Sequence, residues 1–239
     1  MNAFRIAGIT LIWTSIGFMA IFSYLAAHFG YPEVLRGTAA NVLPALVAGG
    51  PAMRAAWAIY AVLPAGVAVA AILAFPLFRR ADERMARLGL VGAITAAVAM
   101  TIGLVRWPTL NYVLGQRYID AGASERARIA AIFDAGNRYL GTIAGEFIGE
   151  LALSLWFFTL SLAILRGVGA WRWTGYAGLF TGASMTVGAF RNLTSWVDPI
   201  AALNNSLLGI WLIALGAALV VLDGERASGH LGRRIAGPA

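Results

Sequence analysis

The sequence predicts an all-α, polytopic transmembrane bundle of six spans, with both termini on the cytoplasmic side and short helices at the outer interface. Three observations predict it. The 239 residues are 60% hydrophobic and 12% charged, with a mean hydropathy of +0.76, about half the charge of a soluble domain. The apolar residues fall in six blocks, each near the ~20 residues that a helix needs to cross a hydrocarbon core. The Arg residues flank those blocks, as the positive-inside rule requires.

The chain reads as one transmembrane domain, 1–239, with spans at about 5–28, 54–77, 88–106, 139–165, 174–191 and 200–222 and a short cytoplasmic tail, 223–239. The first block, Ile6–Ala27, is longer than a signal-peptide apolar core and reads as a retained span. Pro64 kinks the second span. Regions on the N-terminal side hold ten Arg and four acids, a balance of +6, against +1 on the other side. Five or seven spans would destroy that asymmetry.

The outer connections are longer than the inner ones. Tyr31-Pro32-Glu33 reads as a helix start, with Pro in the first turn and Glu33 favourable to the dipole. Gly49-Gly50-Pro51 ends that segment. Asp120–Ser124 reads as a loop, with Ser124 as a cap for a following interfacial helix. On that helix Ile129, Ile132, Phe133 and Leu140 share one face, and Asp134 and Arg138 the other. The eight Trp residues lie mostly near span ends, as in an aromatic belt.

Net charge is +7, yet a nucleic-acid partner is not implied, because the 18 basic residues are all Arg and sit beside the spans. The lipid bilayer is the expected environment. Without Lys there is no retinal Schiff base, and one His near the spans excludes bis-His haem within the chain. Without Cys there is no thiolate nucleophile. Nucleophile-elbow, HExxH, P-loop and dinucleotide signatures fail as well, so no catalytic residue, metal or cofactor is assigned. His28 with Glu146 and Glu150 makes a conceivable metal set, but a belt His is the commoner arrangement.

Span four carries the polar groups. Asp134, Arg138, Thr142, Glu146, Glu150 and Ser154 recur every four residues and stack along one helix edge. Gly141, Gly145 and Gly149 form a doubled GxxxG edge beside it, fit for close approach of another helix. Glu150 lies roughly 22 Å from the inner edge of the span at about 1.5 Å per residue. A carboxylate facing lipid costs on the order of 3 kcal/mol, so Glu146 and Glu150 should turn inward to Arg. Arg106 and Arg191 end their spans at the matching depth; Arg138, beside Asn137, is the weaker partner because helix side chains lean toward the N-terminus. Three readings stay open. The first is an outward-facing pocket of Arg106, Glu146, Glu150 and Arg191, flanked by Arg138 and Asn137, for a small polar or anionic molecule or a lipid headgroup. The second is an accessory or assembly subunit whose charges lock helices while the glycine edge meets a membrane-protein partner. The third is a membrane enzyme or proton-coupled carrier using Glu146 and Glu150.

Phe29-Gly30-Tyr31-Pro32-Glu33-Val34-Leu35, Gly103-Leu104-Val105-Arg106-Trp107-Pro108, and Gly145-Glu146-Phe147-Ile148-Gly149-Glu150 with Trp156 resemble a bacterial membrane family, domain of unknown function 4386, over roughly residues 5–222. The resemblance implies a polytopic bundle in the bacterial cytoplasmic (inner) membrane and no stated activity. It also implies His near the positions of Asn137 and Phe147 and an amide at that of Glu150. This chain departs at all three, which leaves His-dependent chemistry in doubt.

Overall fold

The computed structural model describes residues 3–168 and 172–235, without side chains at 167–168, 205 and 223–235. The fold is all-helical, with no strand among the described residues. The helices are α1 (Ala3–Phe29), α2 (Ala39–Ala48), α3 (Gly50–Val62), α4 (Pro64–Phe78), α5 (Glu83–Val105), α6 (Tyr112–Asp120), α7 (Ala123–Gly136), α8 (Gly149–Ala163), α9 (Arg172–Gly188) and α10 (Asp198–Ile235). Several join end to end. Five continuous helices are long and apolar enough to cross a membrane: Ala3–Phe29, Gly50–Phe78, Glu83–Asp120, Ala123–Arg166 and Ser195–Leu222. The fifth expected span falls on α9, which has 17 residues. The chain is an integral membrane protein.

Neighbouring helices close a ring in the order α1, α4, α5, α8, α9, α10 and back to α1. Small residues let them approach. Ala70, Ala74, Ala93 and Ala96 are buried, whereas Trp13, Val69, Ile72, Val91 and Ile210 are exposed around the outside. This inversion of large apolar residues outward and small ones inward suits lipid, where close van der Waals packing holds helices together. Above this ring α2, α6 and α7 pack on one another. They share a second core with Leu25, Phe29, Trp57, Trp107 and Phe133.

Local chemistry sets the breaks. Gly50 has φ +62, a conformation that side-chain-bearing residues rarely adopt, and it separates α2 from α3. Pro64 opens α4 one residue after α3 ends; it lacks the N–H that an unbroken helix would use. Asp82 caps α5 by accepting from the Met85 amide at 3.1 Å. It also pairs with Arg166, tying α5 to the far end of α8.

Three local expectations need correction. Ser124 is no cap: Gly122 precedes the helix, and Ser124 already lies within its first turn. Ile132 is 51% exposed, while Ile129 and Phe133, one full turn apart, form the buried stripe. Trp13, Trp173 and Trp196 are exposed, but Trp57, Trp107, Trp156 and Trp211 are core residues rather than belt residues; Trp171 lies outside the described residues. Helix α10 runs on to Ile235, past Leu222, where the last membrane-length apolar helix ends.

Candidate functional site

Between α7 and α8 the chain winds as a π-helix over Asn137–Ile148, twelve residues long. A shorter π-turn, Trp107–Asn111, follows α5. Such wide turns occur mostly as single-turn insertions and frequently mark functional sites. The glycine edge of the longer segment faces the end of α5. A Cβ on Gly103 would lie 2.6 Å from the Gly145 Cα, and one on Gly149 would lie 2.7 Å from the Met100 side chain. At Gly141 the neighbour is the Arg106 guanidinium, whose Nη2 an added Cβ would meet first. The three glycines of this edge are thus covered by residues of the same chain.

Glu146 and Glu150 point to Arg191. Its Nη1 and Nη2 donate to the two Glu150 oxygens at 2.7 and 2.8 Å, a bidentate pair. Arg191 Nη2 also stands 3.1 Å from Glu146 Oε2, which accepts from Asn192 Nδ2 at 2.9 Å. The three charged side chains are 14–22% exposed. The short 3₁₀ turn Ala189–Asn192 sets Arg191 and Asn192 side by side at the end of α9. A further bond from Arg191 Nη1 to the Gly188 carbonyl, 3.2 Å, fixes the guanidinium plane.

Arg106 is placed differently. It is 6% exposed, and its Nε donates to Asn137 Oδ1 at 2.9 Å while Nη1 donates to the Gly103 carbonyl. The guanidinium carbon lies 5.1 Å from the centre of the Trp107 ring, a cation–π distance. Glu146 acts on it electrostatically, but no carboxylate is within ion-pair distance of Arg106 among the described residues. Asn137 Oδ1 also accepts from Asn111 Nδ2 at 3.2 Å. Arg138 is exposed and makes no ion pair among the described residues.

Tyr31, Asn111 and Asn192 complete the site and were not singled out as site residues from the sequence. Tyr31 reaches in from the connection between α1 and α2, edge-on to Trp57 at 5.5 Å and to Tyr60 at 6.0 Å. Its burial and the charge of Glu146 push its pKa up to about 12. The signal for Tyr31 was its place in one of the family strings; Asn192 adjoins Arg191, but nothing local marks Asn111. His28 stacks on Tyr24, with its Nδ1 2.9 Å from the Tyr24 carbonyl oxygen. No group of three or more metal-type ligands occurs among the described residues. Two small cavities lie elsewhere, of about 20 and 10 Å³, and none of the site's charged residues lines them.

The fold and these polar groups define a helical membrane protein with charged side chains gathered inside one end of its bundle. The chain belongs to the family described as a domain of unknown function (DUF4386), whose match covers residues 6–216. No curated protein and no solved structure matches it.

Proposed function

We propose that the protein binds a small anionic group, the phosphate of a lipid headgroup foremost, at Arg106. The supporting observation is the unequal charge pairing. Arg191 is held by two carboxylates, whereas Arg106 is buried against neutral acceptors only. A buried guanidinium without a contacting carboxylate is a costly arrangement, and an anion brought to it gains charge-assisted bonds. In this reading Glu146, Glu150 and Arg191 form the rigid wall of the site. Asn137 orients Arg106, and the exposed Arg138 draws the anion in. The chain crosses the bacterial inner membrane six times, both termini are cytoplasmic, and the site opens outward.

The subunit alternative draws no support from the glycine edge, since Gly103, Met100 and Arg106 cover it.

The test is thermal unfolding of the detergent-purified protein with dioctanoyl-phosphatidylglycerol, dioctanoyl-phosphatidylcholine or inorganic phosphate. At saturating ligand the anionic lipid should raise Tm by about 5 °C, and Arg106→Gln should remove the shift. A rise with inorganic phosphate alone would assign the site to the free anion. Equal shifts with both lipids, or an undiminished shift in Arg106→Gln, would overturn the proposal.

A further inference from the structure

Three polar atoms in one region of the outer core have no hydrogen-bonding partner among the described residues: Nε1 of Trp57, Nε1 of Trp107 and Oδ1 of Asn111. All three residues are fully buried. They are also neighbours. The two indoles stack with ring centres 4.7 Å apart and planes 14° from parallel. Asn111 closes the π-turn that Trp107 opens.

Buried polar groups in folded proteins nearly all find a partner, and where protein atoms fail to provide one, ordered water does. The composition of this set discriminates among ligands: two donors and one acceptor. An anion would satisfy the indoles and be repelled by the amide oxygen. A metal cation would suit the oxygen and be repelled by the N–H groups. Water serves both, because it accepts and donates.

We infer that ordered water is bound in the outer half of the bundle, between the Trp57–Trp107 stack and Asn111. The site does not end there. Asn111 Nδ2 donates to Asn137 Oδ1, which also receives Arg106 Nε. The water therefore stands at one end of a hydrogen-bonded line whose other end is the Arg106 guanidinium. It fixes the Asn111 amide, and through Asn137 it fixes Arg106. Asn111 is a positioning residue. This inference rests on the orphaned atoms alone and stands whether or not Arg106 binds an anion.

X-ray radiolytic footprinting of the full chain in detergent tests it, because radicals born from bound water oxidise the side chains that touch it. Trp211 is the internal reference: it is 2% exposed, and its Nε1 donates to the Thr174 carbonyl at 2.9 Å. Trp57 and Trp107 should oxidise severalfold faster than Trp211 in the unaltered protein. In Asn111→Leu those rates should fall toward that of Trp211. Equal rates at the three tryptophans of the unaltered protein would overturn the inference without any variant. So would unchanged rates at Trp57 and Trp107 in a folded Asn111→Leu.

Discussion

Arg191 serves two carboxylates at once, with Glu150 at 2.7 Å and Glu146 at 3.1 Å. Removing it leaves both acids partly buried and mutually repelling. Arg191→Gln should therefore destabilise the protein by about 3–5 kcal/mol. Adding Glu150→Gln in that background should restore part of the loss, and thermal unfolding of the single and double variants measures it. Strictly additive losses would deny the coupling. Tyr31 makes a separate, pH-dependent prediction. Its pKa is raised from 10.0 to about 12, by burial first and the Glu146 charge second. The folded chain keeps that proton after the unfolded chain has lost it. The stability this provides is intact below pH 10 and declines between pH 10 and about 12. Tyr31→Phe should flatten that part of the alkaline stability curve; an unchanged slope would show that other groups set it.

At the scale of elements, the glycine edge between α5 and the π-helical segment separates two kinds of contact. An added Cβ on Gly103 meets Gly145 backbone at 2.6 Å, and backbone cannot step aside. Gly103→Ala should force the helices apart at a cost of about 1–3 kcal/mol, read as a lower Tm. At Gly141 the added Cβ meets the far end of the Arg106 side chain, which can move. Gly141→Ala should cost less stability than Gly103→Ala and abolish the phosphatidylglycerol-dependent shift. A large drop in Tm with the lipid response retained would reverse that assignment. The elements also show where sequence reading succeeds. Breaks at Gly49–Pro51 and Pro64 were legible because local backbone chemistry sets them. Ser124 misled because Gly122 and Ala123 had already started the turn, a competition between adjacent residues that composition does not rank.

At the scale of the whole molecule, the absence of Cys allows single cysteines to be introduced cleanly. The proposed six-crossing topology predicts that Ala81→Cys is labelled by a membrane-impermeant maleimide only after cell disruption, whereas Ser124→Cys is labelled in intact cells. The reverse pattern would invert the topology. Labelling of both sites in intact cells would change the number of crossings. The sequence by itself determined that this chain is helical and lives in lipid, since length and apolarity of a segment suffice for that. It also pointed to Glu146, Glu150, Arg106 and Arg191, because an ionisable group in an apolar run is costly wherever it faces. Only the tertiary structure decided that Arg191 takes both acids and that Arg106 turns to Asn137. Partner choice depends on interhelical angle, on a π-wound segment and on which glycine meets which neighbour. Those are distances between residues up to 46 positions apart, and no local pattern encodes them.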